Sequence, residues 1–268
     1  MLKLSIITVC LNNIDGLRKT LNSVVTQTYK EMEWVVVDGG SNDGTYELLK
    51  TNSDKIGQWI SEKDNGVYQA MNKGIRMAQG EYLLFLNAGD TLIKDTIIEQ
   101  IFNHVGLSAD LCFGKTWYIN GDHKSPMGNH PVDFTFHQFI SDPLPHSGGT
   151  FYRRQLFLDY GLYDEKYYMS GDVDFNLRVI FKQQCSVQKI DLFISYFDGN
   201  GLSQHPNKDI HWEFGYYINK YYPRILGSDY TTFGNSKDRR HALKIWDTIN
   251  SNWYIRIPYK LFLRPFVK

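Results

Sequence analysis

The chain has 268 residues and carries 29 Lys and Arg side chains against 29 Asp and Glu. Hydrophobic residues make up 42% and charged residues 22%, which is typical of a globular protein and excludes a disordered or collagen-like chain. A balanced net charge gives no reason to expect a nucleic-acid partner. The charge is unevenly distributed, however, because residues 209–268 hold 10 basic and 5 acidic side chains and the first 208 residues are net acidic.

The first half of the chain alternates short apolar runs with amphipathic stretches. We predict helices around Leu17 and Met71, where apolar side chains recur at helical spacing. Strand–helix alternation predicts an α/β fold with a mixed, mainly parallel sheet flanked by helices, which binds ligands beyond the carboxyl ends of its strands. The predicted strands are residues 4–9, 33–37, 57–60 and 82–86.

The second half has a less regular pattern. Residues 110–120 are predicted to form two short strands or a hairpin. Residues 121–145, rich in Gly, Pro, His and Asp, are predicted to form a loop that borders the active site. Two further strands are predicted at residues 148–153 and 187–196, with a helix at about 172–182 between them.

Residues 209–268 form a helical, aromatic and basic extension in this interpretation, after one domain over residues 1–208. Trp246 and Trp253 follow helical spacing and basic residues are interleaved with them. Such a segment can lie on an acidic membrane surface, or it can pack on the domain with its basic side chains extended to water. The sequence leaves both alternatives open.

Three separated cysteines, Cys10, Cys112 and Cys185, form neither a disulfide framework nor a metal motif. We expect reduced, buried thiols and a cytoplasmic protein. The apolar start of the chain lacks a signal-peptide cleavage site, and no apolar stretch reaches the ~20 residues that cross a bilayer. Contact with the membrane would therefore be peripheral.

Polar residues follow the first two predicted strands. Thr8 lies near the end of the first, and Asp38 is followed by the glycine-rich residues 39–45. A carboxylate followed by glycines suits a planar, hydrogen-bonding ligand with a phosphate close to the backbone. The same pattern also fits an ordinary turn into a helix capped by Asp43 or Thr45.

A third polar segment spans residues 64–74, where Asp64 or Asn65 is predicted to cap a helix that contains Asn72 and Lys73. Asn in mid-helix followed by Gly lowers helix stability, which indicates either a functional residue or a polar strip facing solvent. A fourth segment, residues 87–90, follows a wholly apolar strand and offers oxygen ligands for a divalent cation. The alternative interpretation of residues 87–90 is an ordinary turn before a helix at Lys94.

Together these segments resemble those of the family 2 glycosyltransferases, which have the GT-A fold, a Rossmann-like α/β architecture. Residues 35–45 (VVVDGGSNDGT) match the nucleotide-binding segment, and residues 87–90 (NAGD) stand where the family has its Asp-X-Asp motif. The acceptor-side order follows in residues 146–154, 161–165 and 171–178, so the resemblance covers about residues 4–203. Residues 64–74 (DNGVYQAMNKG) look like the branch that builds bacterial surface polysaccharides.

The resemblance implies a nucleotide-binding half at about residues 1–110 and an acceptor half at about 111–208. It also implies an inverting transfer of a sugar from a nucleotide sugar, with Mg²⁺ or Mn²⁺, to a saccharide or lipid-linked saccharide. The implied roles are nucleotide-sugar contacts for Thr8, Asp38, Asp64, Asn87 and Asp90, metal contacts for Asp90, Asn87 and His205, acceptor-side places for His146 and Asp174, and general base for Asp172.

The chain departs from the family's pattern at the nucleotide segment and at the metal motif. The second of two usual adjacent acids is Gly39, and usual acids are missing at Asn87 and Gly89. The general base usually follows a Glu, whose place Gly171 takes. The missing metal acids motivate one alternative, a degenerate protein that binds nucleotide sugars without turnover. A sugar-nucleotide pyrophosphorylase is the other, but residues 8–13 lack the basic side chains that would hold a triphosphate.

Overall fold

The computed structural model describes residues 2–133, 139, 143–200, 213, 216 and 220. His205 and most of the predicted C-terminal extension lie outside the described residues, so the division into residues 1–208 and 209–268 stays a prediction. The described residues up to 200 all belong to one compact unit, Met1–Ile210. Within the described part of the chain, no helix has the length and apolar composition needed to cross a bilayer.

The described strands form one mixed sheet in the order β3-β2-β1-β4-β8-β6-β9-β5, with β7 paired to β6. The first four strands in this order are parallel, β8 runs antiparallel to β4 and β6, and β9 is parallel to β6. The α/β fold class predicted from the sequence is confirmed. The strands are β1 Leu4–Cys10, β2 Met32–Asp38, β3 Gln58–Ser61, β4 Tyr82–Phe85, β5 Thr91–Leu92, β6 Leu111–Asn120, β7 His123–Met127, β8 Thr150–Arg153 and β9 Val187–Asp198.

Six α-helices of the described chain accompany this sheet. The fourth and the sixth each continue into a wider, π-helical segment, at Ile101–Val105 and Leu177–Lys182. The helices are α1 Ile14–Val25, α2 Thr45–Thr51, α3 Val67–Met77, α4 Ile97–Gln100, α5 Gln155–Tyr160 and α6 Gly171–Asn176.

Strand β1 is buried along its whole length because helices cover both of its faces. Ile6 belongs to the same core cluster as Leu17 of α1. Its neighbour Ile7 points to the other face and meets α3 at Gly74, where an added Cβ would come within 2.5 Å of the Ile7 side chain. Successive side chains of a strand point to opposite faces, so this arrangement requires an apolar residue at nearly every position. The glycine that weakens α3 is explained by this close approach.

The structure corrects the sequence prediction at two places. Residues 111–120 form one long strand rather than two short ones, and the hairpin partner β7 lies inside the predicted loop. The helix predicted at Lys94 begins only at Ile97, because residues 91–92 pair with β9 first. The first error lies in a local hairpin, since β7 follows β6 after residues 121–122, whereas the second involves a strand far away in sequence.

Asn72 joins α3 to residues 163–165. Its side chain is 1% exposed. The amide nitrogen donates to the Tyr163 carbonyl at 2.9 Å, and the amide oxygen accepts from the Tyr163 N–H at 3.1 Å. The amide nitrogen is also 3.0 Å from a Glu165 carboxylate oxygen. Asn72 is therefore neither part of a solvent-facing strip nor a free polar group, and it holds the residue 163–165 segment against α3.

We predict that Asn72→Ala lowers the free energy of unfolding by about 2 kcal/mol, because it leaves two buried backbone groups of Tyr163 unpaired. Urea denaturation followed by circular dichroism measures the change. The matched control is Asn22→Ala, at an exposed position of α1, for which we expect a change within about 0.5 kcal/mol. Equal effects of the two substitutions would contradict the role of Asn72 as a clamp, that is, as the side chain that holds residues 163–165 against α3.

Candidate active site

The carboxyl ends of β1, β2 and β4 bring two of the predicted segments to one edge of the sheet. Asp38 pairs with Cys10 at the ends of β2 and β1. On the other side of β1, the chain that leaves β4 stays beside it, with the Ala88 N–H donating to the Val9 carbonyl at 3.1 Å. The residues after Asp38 and the residues after Leu86 therefore flank the end of β1.

Asp38 and Thr8 are fully buried, and their polar atoms bond within the protein. The Asp38 carboxylate accepts from the Ser41 hydroxyl and N–H and, at 2.6 Å, from the Ser61 hydroxyl. The Thr8 hydroxyl donates to the Leu86 carbonyl at 2.7 Å and accepts from the Trp34 indole at 2.9 Å. Both side chains shape the edge of the sheet, and their predicted contacts with a nucleotide stay predictions.

The Asp64 carboxylate lies against Gly39, the residue that takes the place of the second acid. A Cβ at Gly39 would be 2.6 Å from the Asp64 Oδ2. The other oxygen, Oδ1, accepts from the Gly66 N–H at 3.2 Å. The cap position of α3 is Gly66 rather than Asp64 or Asn65, so the predicted cap is wrong by one or two residues. The loop that follows β3 thus places the Asp64 carboxylate beside residue 39 of the predicted nucleotide-binding segment.

Asp90 is buried and held by two donors. The Ser147 hydroxyl donates to its Oδ2, and the Asp198 N–H donates to its Oδ1 at 2.8 Å. Burial, with a smaller contribution from the nearby Asp198 charge, raises the pKa of the Asp90 carboxyl to about 7, although the two hydrogen bonds act in the opposite direction. A bound cation would reduce the repulsion between the Asp90 and Asp198 carboxylates.

Asp198, at the end of β9, was not among the residues chosen from the sequence. A Cβ at Gly89 would be 2.9 Å from the Asp198 Oδ2. The carboxylate missing from the metal motif is therefore present in space, supplied by a strand more than a hundred residues later. The only sequence signal is the glycine at an acidic position, which does not say where the replacement acid lies.

The set of oxygen ligands at this place is small. The Asn87 Oδ1 is a buried acceptor without a hydrogen-bond partner. In the described parts of the chain, no three or more His, Cys, Asp or Glu side chains come together as a metal cluster. Two carboxylates and one amide oxygen fit a cation that takes its remaining ligands from the substrate.

Asp172 lies in the first turn of α6 and is partly exposed, unlike the buried Asp38 and Asp90. Its Oδ1 is 2.8 Å from the hydroxyl of Tyr68, on α3. Asp174, two residues on, is fully buried and accepts from the Tyr167 hydroxyl at 2.8 Å. The structure thus gives Asp174 a supporting place inside the fold, because a fully buried carboxylate has no surface to offer an acceptor.

His146 connects the two halves of the site. It follows Pro145 and precedes Ser147, the residue that bonds Asp90. Its ring stacks on Phe85 with a 4.7 Å centroid distance, and its Nε2 is 2.8 Å from the Tyr163 hydroxyl. Burial lowers the pKa of His146 and the Asp172 charge raises it, with the first effect larger. A neutral imidazole therefore lies between the Asp90 and Asp172 regions.

The model of the glycosyl transferase family 2 matches residues 5–161 of this chain. An uncharacterized glycosyltransferase of Mycobacterium tuberculosis is 30% identical over 206 residues, which are 75% of this chain and 77% of the relative. A PGL/p-HBAD biosynthesis glycosyltransferase of Mycobacterium bovis is 31% identical over 205 residues, 74% of this chain and 78% of the relative.

Two solved structures share the fold. Staphylococcus aureus TarS 1–349 in complex with UDP-GlcNAc has a TM-score of 0.66 at 20% identity, over 82% of this chain. The similarity spans 65% of that TarS chain, slightly less than two thirds of its length. A mannosyltransferase of Pyrobaculum calidifontis in complex with GDP-Man and Mn²⁺ has a TM-score of 0.55 at 14% identity, over 95% of this chain and 82% of its own.

The GT-A fold, the matching family model over more than half of the chain and the similar glycosyltransferases agree with one another. The resemblance noted in the sequence is thereby confirmed. The chain belongs to the family 2 glycosyltransferases.

Proposed function

We propose that this enzyme is an inverting glycosyltransferase that moves a sugar from a UDP-sugar to a hydroxyl of a saccharide or lipid-linked saccharide in surface polysaccharide biosynthesis. The observation that carries the proposal is a chain of contacts that starts at Asp90 and Ser147. From His146, the neighbour of Ser147, it continues through Tyr163 and Tyr68 to Asp172. This chain joins a cation and diphosphate region to a partly exposed carboxylate. The biosynthetic name of the mycobacterial relative and the UDP-GlcNAc in the TarS complex support the substrate classes.

The nucleotide lies, in this proposal, over the ends of β1 and β2. Leu11 is 58% exposed there, and its Cδ1 would be 3.3 Å from a Cβ at Gly39. An exposed apolar side chain next to the Asp64 carboxylate offers a flat contact for a base and an acceptor for its N–H or for a ribose hydroxyl. Asp38 and Thr8 are fully buried, so they support this surface from within the fold.

We predict that UDP and UDP-sugars raise the melting temperature more than GDP- and dTDP-sugars do, because a ligand that binds only the folded state stabilises it.

We also predict that Asp64→Asn weakens UDP binding about tenfold, since it removes a charged acceptor. Isothermal titration calorimetry measures this change. Asp54→Asn, at an exposed position, is the matched control, and equal UDP affinities of the two variants would contradict the role of Asp64.

Asp90, Asn87 and Asp198 would hold Mg²⁺ or Mn²⁺, and His205, outside the described residues, remains a proposed further ligand. When bound, the cation neutralises charge on the departing nucleoside diphosphate. The residues fit this role because one buried amide oxygen has no partner and two carboxylates lie together. Asp198 lies where the acid missing at Gly89 would be, which removes one of the two reasons for the degenerate, non-catalytic alternative; the other, the missing acid at Asn87, stays.

We predict that Asp198→Asn weakens Mn²⁺ binding in the presence of UDP by at least about tenfold, because it removes one of two charged ligands. Electron paramagnetic resonance of free Mn²⁺ measures binding without any turnover. Asp191→Asn is the control on the same strand, since that carboxylate is exposed and pairs with Lys115. Unchanged Mn²⁺ affinity in Asp198→Asn would remove Asp198 from the metal site.

The acceptor hydroxyl is a poor nucleophile at neutral pH, and Asp172 takes its proton as the new bond forms. The hydroxyl oxygen attacks the anomeric carbon opposite the leaving diphosphate, so the configuration at that carbon is inverted. Asp172 suits this role because it is partly exposed, whereas Asp38, Asp90 and Asp174 are buried. The neutral His146 beside it lines the acceptor side.

We predict that Asp172→Asn leaves UDP-sugar affinity within about twofold and cuts transfer about a hundredfold or more, because the general base is lost. The assay follows both nucleoside diphosphate release and the glycosylated product. Asp159→Asn, at an exposed position of α5, serves as the control. Full activity of Asp172→Asn would refute the assignment, and product formation by the native enzyme would remove both the binding-protein and the pyrophosphorylase alternatives.

We place the reaction in the cytoplasm, because Cys10, Cys112 and Cys185 are free thiols and the cytoplasm keeps thiols reduced. The C-terminal extension, outside the described residues, is proposed as a peripheral contact with the membrane that carries a lipid-linked acceptor. Its basic and aromatic composition supports this place.

A further inference from the structure

Tyr68 is the one side chain of α3 whose described contacts reach the proposed base. It is almost completely buried, and its ring packs against the ring of Tyr163 with a 5.4 Å centroid distance. Its hydroxyl lies 2.8 Å from the Asp172 Oδ1 and 2.6 Å from the Met169 carbonyl oxygen. Two acceptors thus converge on one phenol hydroxyl.

Gly171 makes this contact possible. A Cβ at Gly171 would lie 2.9 Å from each of three ring atoms of Tyr68, Cε1, Cε2 and Cζ, which is closer than packed side chains come. Any larger residue before Asp172 would push the ring away and withdraw its hydroxyl from the carboxylate. The glycine and the tyrosine therefore form a matched pair, although 103 positions separate them in the sequence.

We propose that Tyr68 is a positioning residue for Asp172, and that its hydroxyl pairs with the Asp172 carboxyl group both before and after that group takes the acceptor's proton. The proposal rests on the proposed role of Asp172 as general base. It assigns to Gly171 the function of admitting the Tyr68 ring.

The chemistry of a phenol suits both states. Burial and the Asp172 charge raise the pKa of Tyr68 well above its usual value, so the hydroxyl keeps its proton. While Asp172 is ionised, the hydroxyl donates to its Oδ1. When the acceptor O–H bond breaks and the new O–H bond forms on Oδ2, the Oδ1 still accepts from the Tyr68 hydroxyl. When the new bond forms on Oδ1 instead, that oxygen donates to the tyrosine oxygen. The Tyr68 proton then turns to the Met169 carbonyl by rotation about the Cζ–Oη bond.

No proton leaves Tyr68 in this sequence, and each polar group keeps a partner in both states. If the new proton lies on Oδ1, a buried hydroxyl with Asp172 as its sole partner would face a donor instead of an acceptor. The second acceptor at 2.6 Å removes that cost. The arrangement therefore holds the carboxylate in one rotamer without opposing its change of protonation.

The test compares steady-state kinetics of Tyr68→Phe with those of the native enzyme. We expect kcat to fall about tenfold to a hundredfold, since a hydrogen bond to a charged group is lost, while KM for the UDP-sugar stays within about twofold. In the Asp172→Asn background the same substitution should cause no further loss, because Tyr68 acts through Asp172.

Tyr82→Phe is the matched control. Its hydroxyl is also buried and also donates over 2.8 Å to a backbone carbonyl, that of Ala109, but it lies outside the proposed site. We expect Tyr82→Phe to lower stability without lowering kcat. Gly171→Ala adds a second measurement, and we expect it to lower kcat in the native background but not in the Tyr68→Phe, Asp172→Asn double variant.

The outcomes separate the two proposals. Full activity of Asp172→Asn would overturn the base assignment and the inference that rests on it. If Asp172→Asn is impaired but Tyr68→Phe turns over as fast as Tyr82→Phe, the base stands and the positioning role of Tyr68 is overturned. Losses that multiply in the double variant would overturn it as well, because they would show that Tyr68 acts independently of Asp172.

Discussion

The register of the parallel strands β3-β2-β1-β4 is the constraint on which the rest of the structure depends. Helices on both faces bury β1 completely, so a slip by one residue would exchange the side chains that pack on the two helix layers, such as Ile6 with Leu17 and Ile7 against Gly74. That fixed register brings the ends of β2 and β4 to the two sides of β1. Asp38, Asn87 and Asp90 share one edge of the sheet for this reason alone.

Three glycines stand where the family usually has acidic side chains, and each leaves space for a side chain of the candidate site. In each case an added Cβ would come within 3 Å of that side chain. At these three positions a side chain distant in sequence lies where the usual acid would be. The matched pairs are Gly39 with Asp64, Gly89 with Asp198, and Gly171 with Tyr68.

Buried hydrogen bonds join the nucleotide half to the acceptor half. Asp90 is bonded by Ser147, which precedes β8, and Asn72 is bonded to both backbone groups of Tyr163. A buried polar group without a partner destabilises the fold by more than its hydrogen bond stabilises it. These contacts therefore hold the two predicted halves in one relative position. The distance from the proposed metal site to the proposed base thus depends on side chains that take no part in the chemistry.

The sequence by itself determined the first four strands, the helices between them and the family, because burial on both faces and helical periodicity are local patterns and the motifs follow strand ends. It also singled out Asp64, Asp90 and Asp172. Only the tertiary structure decided that Asn72 is a clamp, that residues 123–127 form a strand, and that Asp198 and Tyr68 belong to the candidate site. Each of these depends on a partner distant in the chain or on the fold around it, and spacing along one chain carries no record of which distant side chain fills the space that a glycine leaves.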